Sequence, residues 1–157
     1  MIKTERLIIR QPLHADLDEL FPAMKETATD LINMDSDFPS QVTRAYTRDY
    51  LNHMIKDDDR YLVFQGLTLV GEIGFHPFNK FGGGYWFHFW CRKPFQNRGI
   101  ITEALRAVIT GIHGNVLMGV YDRNKACLRV MEKLKMHRLQ SMLGHQGMAT
   151  IFTSRGI

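Results

Sequence analysis

The stretch that decides the fold is Lys93-Pro94-Phe95-Gln96-Asn97-Arg98-Gly99-Ile100-Ile101-Thr102-Glu103-Ala104-Leu105. It passes from the end of a strand through a short polar loop into a helix with an apolar stripe. Such a junction directs backbone N–H groups and the positive end of a helix dipole at one place, which suits a diphosphate. Arg92, Lys93 and Arg98 add positive charge, and Gly99 permits close approach of the backbone. A capped helix start with solvated basic residues would give the same pattern, so the residues alone leave both interpretations open.

On either side of this stretch, the spacing of the apolar residues changes from that of strands to that of a helix and back again. Before it, three strand-like runs form a predicted antiparallel meander: Tyr61–Phe64, Leu67–Phe75 and Tyr85–Cys91, the last two separated by residues 77–84. After Gly99 the period is helical to Ile112. Then come a strand at Val116–Tyr121, a helix at Asn124–Leu134 and two strands at Arg138–Leu143 and Met148–Thr153. The segment from Tyr85 to Tyr121 is a strand-helix-strand crossover, which makes its two strands parallel.

The N-terminal third is predicted to contribute one strand and two helices. Arg6–Arg10 is the strand, and apolar residues from Leu13 to Met24 recur at helical spacing, with Pro22 expected to end or kink that helix. Residues 27–40 are expected to form a loop, and a second helix spans Val42 to Met54, before a solvated turn at Asp57-Asp58-Asp59. The order β-α-α-β-β-β-α-β-α-β-β predicts an α+β fold with a mostly antiparallel sheet.

Size and composition limit the function classes. The 157 residues, 45% of them hydrophobic, predict a single domain over residues 1–157. With no signal-peptide or membrane-spanning run, we expect a cytoplasmic protein with no membrane partner, in which Cys91 and Cys127 stay thiols. The seven histidines are scattered, so we expect no metal. The net charge of +4 permits phosphate-rich ligands, but the absence of a Lys/Arg block argues against nucleic acid.

Four segments in order resemble one enzyme family. Gln96-Asn97-Arg98-Gly99-Ile100-Ile101 resembles the Gln/Arg-x-x-Gly-x-Gly/Ala signature of the GNAT superfamily of N-acetyltransferases, and Thr102-Glu103-Ala104-Leu105 continues it as in the Rim-type ribosomal-protein acetyltransferases. Residues 124–134 are similar to the same family's Asn-x-x-Ser-x-x-x-x-Glu-Lys helix. Residues 4–10 and Val70–Gly74 are further matches, so the resemblance covers nearly the whole chain.

This resemblance implies the GNAT fold and acetyl-CoA as co-substrate. The one parallel strand pair would splay apart to hold acetyl-CoA, within a sheet flanked by about four helices. The pantetheine arm would pair with the strand that ends at Cys91, and the diphosphate would lie over the signature loop. The residues expected to bind acetyl-CoA are Phe89, Trp90, Cys91, Arg92, Gln96, Asn97, Arg98, Gly99, Ile100, Ile101, Thr102 and Asn124, the last of which would equally serve as a helix cap.

The resemblance also implies direct attack of a neutral amine on the thioester, with no covalent enzyme intermediate. A base must then take a proton from the ammonium, and Glu72 and His88 are the candidates. A solvated strand carboxylate and a packed histidine are the structural alternatives for these two residues. Cys127 occupies the position of the family's serine, which protonates the departing thiolate, although a buried structural thiol fits this position too.

Departures from the family pattern keep a second hypothesis open. Ile101 stands where a small residue is usual and is expected to narrow the space over the diphosphate. Asn97 replaces a common glycine, and Lys135-Met136 replaces a Gly-Phe pair. The alternative is therefore a catalytically impaired GNAT-fold module that binds CoA or a protein partner without turnover. The acceptor, a protein N-terminus or a small-molecule amine, stays open, and a homodimer is possible.

Overall fold

The structure is a computed structural model that describes residues 1–34, 38–57 and 59–155. Its helices are α1 (Leu17–Met34), α2 (Arg44–Lys56), α3 (Ile100–Thr110) and α4 (Lys125–Lys133). Two 3-10 turns occupy His14–Asp16 and Lys93–Phe95. The strands are β1 (Ile2–Lys3), β2 (Ile8–Arg10), β3 (Arg60–Gln65), β4 (Thr68–Phe78), β5 (Gly84–Cys91), β6 (Val116–Tyr121), β7 (His137–Gly144) and β8 (Gly147–Thr153).

The chain forms two compact units, of which the first comprises Met1–Gly74 and Phe89–Ala104. In it, β1, β2, β3 and the first part of β4 pair in sequence as antiparallel neighbours, with Ile9 opposite Val63 and Val63 opposite Gly71. Helices α1 and α2 pack on this layer through one apolar cluster. Its fully buried members include Leu20, Met24, Leu51, Met54, Leu62 and Leu69. This cluster fixes the helices against the strands that carry the candidate site.

The second unit comprises Phe75–His88 and the chain from Leu105 onwards. Strand β5 begins here and pairs in parallel with β6, with Tyr85 opposite Val116 and Trp86 opposite Leu117. Strand β8 is antiparallel to β6 and to β7. The β7–β8 hairpin closes at the Gly144–Gly147 pair. The crossover through α3 therefore gives the parallel pair that the sequence predicts.

The strand order is β1-β2-β3-β4-β5-β6-β8-β7 in one eight-stranded sheet. Strands β4 and β5 each run from one unit into the other along the chain. The β5–β6 pair is parallel and the other pairs whose register is given above are antiparallel. The predicted α+β class, with one parallel pair in a mostly antiparallel sheet and helices around it, is confirmed.

The N-terminal helix differs from its prediction. Pro22 lies inside α1, which continues to Met34, so an end of the helix at Pro22 and the loop predicted from Thr27 are wrong as far as Met34. The missing N–H of Pro22 costs about 3 kcal/mol. Burial of Leu20 and Met24 beside it contributes roughly 1.5–3 kcal/mol for each side chain. Of the predicted loop, residues 35–37 lie outside the described residues.

Smaller differences concern the ends of elements. Leu13 precedes the first 3-10 turn and is exposed rather than part of an apolar helix face. Strand β4 extends through Pro77 to Phe78, beyond the predicted end at Phe75. Pro77 is exposed and lies next to the strand's last residue, where a missing N–H is tolerated. In the described part of the chain, no helix is both long and apolar enough to cross a membrane.

Candidate functional site

The signature loop in the first unit ends at the start of α3, whose first N–H groups have no partner within the helix itself. The 3-10 turn Lys93–Phe95 leads to Asn97 and Gly99, which both have left-handed backbone angles, φ 60° and 74°. Helix α3 begins at Ile100, and the Glu103 N–H bonds to the Gly99 carbonyl at 3.0 Å. The N–H groups of residues 100–102 precede this bond and are those that a helix leaves without an internal partner.

Space in front of these donors is open at Gly99. A Cβ placed on Gly99 would meet only the guanidinium of Arg6, at 3.7 Å. Asn97 and Arg98 are exposed, and the Arg98 guanidinium lies 5.9 Å from the centre of the Phe95 ring. An anion could therefore approach the N–H groups closely while a cation stands beside it.

Glu103, in the first turn of α3, ties this helix to the N-terminal segment. Its carboxylate accepts hydrogen bonds from the Thr4 hydroxyl and from Nε of Arg6, the latter at 2.7 Å. Arg6 also donates to the Arg98 carbonyl at 3.2 Å. Burial on its own would raise the pKa of Glu103, but the hydrogen bonds from Thr4 and Arg6 lower that pKa below its ordinary value. The carboxylate thus stays ionised and holds the helix start in place.

The side chain of Ile101 is directed into the first unit rather than over the loop. Ile101 is 9% exposed, and its Cδ1 lies 3.5 Å from where a Cβ on Gly71 would be. The expectation that this side chain narrows the space over the diphosphate is therefore wrong. The side chains of Ile100 and Thr102 are also buried. Ile100, Ile101 and Thr102 therefore present their backbone N–H groups, rather than their side chains, at the loop.

The start of the loop is held by side chains that were predicted to bind the ligand. Nε of Arg92 donates to Glu26 at 2.7 Å, and another nitrogen of Arg92 donates to the Leu69 carbonyl at 3.2 Å. Nε2 of Gln96 donates to Asp30 at 3.0 Å and to the Cys91 carbonyl at 2.9 Å. Both side chains thus make contacts within the protein.

Glu72 is the centre of a buried polar cluster in the first unit. Its side chain has no exposed surface. Nε1 of Trp90 donates to Oε2 at 2.6 Å, the Tyr50 hydroxyl donates to Oε2 at 2.8 Å, and Arg60 forms an ion pair with Oε1. The alternative of a solvated strand carboxylate is therefore wrong. Each of the three contacts stabilises the ionised carboxylate.

The partners of Glu72 respond to the same burial. Burial raises the pKa of Tyr50 well above its ordinary value, and the neighbouring Glu72 charge adds to this shift. Burial opposes the charge of Arg60, but Glu72, Tyr50 and Asp57 together outweigh burial and raise the pKa of Arg60. Tyr50 is therefore neutral and Arg60 is charged, so the cluster contains one ion pair bridged by one phenol, whose oxygen also accepts a 2.7 Å hydrogen bond from Arg60.

In the second unit, His88 faces another histidine. Nε2 of His76 and Nδ1 of His88 lie 3.2 Å apart, and the two ring planes are inclined by 17°. His76 is exposed and His88 is half-buried. The spacing and the near-parallel planes fit a hydrogen bond shared between the two imidazoles. His88 is thus packed against a second imidazole.

The two cysteines are buried thiols. Burial raises the pKa of Cys127 to about 12 and that of Cys91 to about 11. The N–H of Cys127 donates to Oδ1 of Asn124 at 3.1 Å, which confirms the predicted cap of α4. At the other end of α4, Lys135 has φ 57°. It occupies the left-handed position that a glycine commonly takes after a helix.

Four of these contacts involve residues that the sequence did not indicate as part of a site. They are Tyr50 and Arg60 beside Glu72, and Glu26 and Asp30 beside the loop. Glu26 and Asp30 each lie 66 residues from their partners and Tyr50 lies 22 residues from Glu72, whereas Arg60 is 12 residues from Glu72 on the neighbouring strand. His76 is different, because two histidines on consecutive strands joined by a glycine-rich turn are a recognisable signal.

The chain combines a mixed sheet with a strand-loop-helix junction that has an open position at Gly99. A family model described as the acetyltransferase (GNAT) domain matches residues 6–137. The chain belongs to this family, whose acetyl donor is acetyl-CoA. The donor set of the loop, backbone N–H groups with Arg98 beside them, fits the diphosphate of that co-substrate. Among the described residues, no three His, Cys, Asp or Glu side chains form a group that could hold a metal ion.

Solved structures with the same fold cover nearly the whole chain. A GNAT-family acetyltransferase from Bacillus anthracis is 22% identical, with a TM-score of 0.77 over 97% of this chain and 96% of that one. A Salmonella typhimurium acetyltransferase that modifies the N-terminal serine of a 50S ribosomal subunit protein is 16% identical, with a TM-score of 0.82 over 96% and 95%. A microcin self-immunity acetyltransferase, solved with acetyl-CoA and AMP, is 11% identical, with a TM-score of 0.82 over 96% and 93%. No curated protein sequence matches the chain significantly.

Proposed function

We propose that this protein transfers the acetyl group of acetyl-CoA to a primary amine of a protein N-terminus or a small molecule, by direct attack of the amine. Membership of the GNAT family supports the reaction class. The observation that carries the proposal is the start of α3, where the N–H groups of residues 100–102 lie beside a glycine with φ 74°. Acetyl-CoA supplies the activated acetyl group when it is bound.

In this proposal the loop binds and orients the diphosphate through the backbone. Ile100, Ile101 and Thr102 contribute N–H groups, while their buried side chains keep the first turn of α3 in position. Arg98 is exposed and contributes positive charge. Gly99 leaves room for the ligand, because a side chain would project into that space. The backbone near Phe89, Trp90 and Cys91 stays the predicted contact for the pantetheine arm.

We propose His88, rather than Glu72, as the group that accepts the proton from the ammonium. Glu72 is fully buried, and three donors stabilise its charge, so accepting a proton would disrupt a complete set of contacts. His88 is half-buried, and a neutral imidazole has one ring nitrogen that can accept a proton. The hydrogen bond with His76 would stabilise the positive charge that His88 gains.

Cys127 fits a structural thiol better than a proton donor. Its pKa of about 12 lies above the value of about 8.5 for an ordinary thiol, so proton transfer from Cys127 to a departing thiolate is unfavourable. The thiolate can leave without a donor, since an ordinary thiol is substantially ionised not far above neutral pH. Asn124 would then act chiefly as the cap that orients α4.

The acceptor class rests on the Rim-type resemblance. The Salmonella typhimurium neighbour modifies the N-terminal serine of a ribosomal protein. We therefore propose a protein N-terminus as the first acceptor to test and a small-molecule amine as the second. We further propose that the chain is a single domain that works in the cytoplasm. It would have no nucleic-acid or membrane partner, and a homodimer is possible.

The test is an acetyl-transfer assay on the full chain. The protein is incubated with acetyl-CoA and with peptides that begin with serine or alanine, or with small diamines. Free thiol release and the mass of the acceptor are then measured together. We expect thiol release that requires the amine and an acceptor heavier by one acetyl group. If acetyl-CoA binds but no acceptor in either class is acetylated, the impaired binding module becomes the better description.

A further inference from the structure

Two carboxylates on α1 hold the start of the signature loop. Glu26 and Asp30 lie four positions apart on α1, one helical turn, and therefore on the same face. Glu26 contacts Arg92, and Asp30 contacts Gln96, so the two bonds span the loop from its first residue to the last one before Asn97. We call these four side chains the α1 clasp.

The clasp also forms hydrogen bonds with the strands β4 and β5. Gln96 uses its amide nitrogen for both Asp30 and the Cys91 carbonyl, and so links α1 to the last residue of β5. Arg92 bonds to the Leu69 carbonyl on β4 through its side chain and to the Val70 carbonyl through its N–H, the latter at 2.8 Å. The loop therefore leaves the sheet in an orientation that α1 and β4 both fix.

The Arg92–Glu26 pair lies at the surface, with the arginine more buried than the carboxylate. The side chains of Arg92 and Glu26 are 18% and 34% exposed, so the pair is only partly screened by water. Isolated exposed pairs contribute little, whereas connected hydrogen bonds in partly buried places contribute more. Because Glu26 neutralises Arg92, the loop depends on Arg98 and on the alignment of its N–H groups to attract a diphosphate.

We propose that Glu26 and Asp30 are positioning residues for the acetyl-CoA loop, and that Asp30 acts through Gln96 to align the backbone donors at residues 100–102. The inference rests on the proposed function, because it concerns how the same loop holds the same co-substrate. Glu26 is paired with the charged Arg92, whereas Asp30 is bonded to the neutral amide of Gln96.

A double-mutant cycle on the Asp30–Gln96 arm of the clasp tests this inference. Asp30→Ala is expected to weaken acetyl-CoA binding by about three- to ten-fold, the value of one hydrogen bond. Gln96→Ala is expected to weaken it at least as much, and adding Asp30→Ala to Gln96→Ala should have no further effect. The dissociation constants are measured by calorimetry. The KM for acetyl-CoA should rise in parallel, while kcat changes less than two-fold. A loss of stability alone would not raise KM and leave kcat nearly unchanged.

Glu19→Ala is the matched control, because Glu19 is an exposed carboxylate on the same helix. It should bind acetyl-CoA as the wild type does. Unchanged binding by Asp30→Ala, or an equal loss in the Gln96→Ala background, would overturn the inference. If the wild type itself binds no acetyl-CoA, the proposed function fails instead, so the two failures are distinguishable.

Discussion

The indole N–H of Trp90 donates a 2.6 Å hydrogen bond to the carboxylate of Glu72, a side chain with no exposed surface. Arg60 supplies the compensating charge, so removal of one partner would leave the other charge buried and unpaired. The result is a carboxylate on a central strand whose contacts are those of a structural ion pair.

Removing the charge of Glu72 should destabilise the protein. Glu72→Gln leaves Arg60 charged and buried without a counter-ion, which we expect to lower the free energy of unfolding by about 3 kcal/mol. The double substitution Glu72→Leu with Arg60→Met removes both charges and should recover much of this loss. Urea unfolding of the three proteins measures the difference. A loss below about 1 kcal/mol in Glu72→Gln would show that the pair is not a stabilising element.

His88 and Glu72 can be separated by their effects on kcat. With an active acceptor, His88→Gln should lower kcat by about 100-fold, the lower range for loss of a general base, without a matching loss of stability. His76→Gln removes one imidazole of the pair and should have a smaller effect on kcat. His53→Gln, at an exposed position on α2, is the control. Full activity of His88→Gln would return Glu72 to first place among the candidate bases.

Glu103 should make stability depend on pH in a defined direction. Its pKa is lowered in the folded protein, so its contribution is present above the ordinary value of 4.5 and is lost as the pH falls through the lowered value. We expect Glu103→Gln to lower the free energy of unfolding by about 1 kcal/mol at neutral pH and by nothing at about pH 2. Glu132→Gln, at an exposed site on α4, is the control. The difference in stability between this variant and the wild type, measured by thermal unfolding, should not shrink as the pH falls.

Much of the fold follows from local pattern, and the errors have physical causes. Helices α3 and α4 have apolar stripes and clear start signals at Gly99 and Asn124, so their prediction needed no tertiary information. The prediction for the second half of α1 failed because Thr27 is a polar residue and was assigned to a loop. In the fold Thr27 is 1% exposed and its hydroxyl donates to the Ala23 carbonyl at 2.7 Å, so it belongs to the buried face.

The candidate site was less predictable than the fold. The loop from Gln96 to Thr102 carries a family signature and a glycine at a position that requires φ above zero, and both are visible in sequence. The contacts of Asp30 with Gln96 and of Arg60 with Glu72 depend on how α1 and β3 lie against β4 and β5. The sequence alone does not reveal how these helices and strands pack, so it does not predict these contacts.

Lys135 offers a stabilising substitution. After α4 ends, the Met136 N–H bonds to the Met131 carbonyl at 3.0 Å and the Lys135 N–H bonds to the Glu132 carbonyl at 2.9 Å, a pattern that places Lys135 in the left-handed region. Lys135→Gly removes the steric cost and should raise the free energy of unfolding by about 1 kcal/mol. Lys133→Gly, inside the last turn of α4, should lower it by a similar amount. Chemical denaturation that ranks the two variants in the opposite order would refute this assignment.

The most direct measurement of the central claim is calorimetric titration of acetyl-CoA into the wild type and two variants, Gly99→Asn and Gly99→Asp. Asn and Asp tolerate the left-handed backbone at position 99 better than other side chains do, and they differ mainly in charge. We predict micromolar binding by the wild type, and binding by Gly99→Asp at least about ten-fold weaker than by Gly99→Asn, because the added carboxylate repels the diphosphate. Equal affinities of the two folded variants, or no binding by the folded wild type, would contradict the assignment of this loop as the acetyl-CoA site.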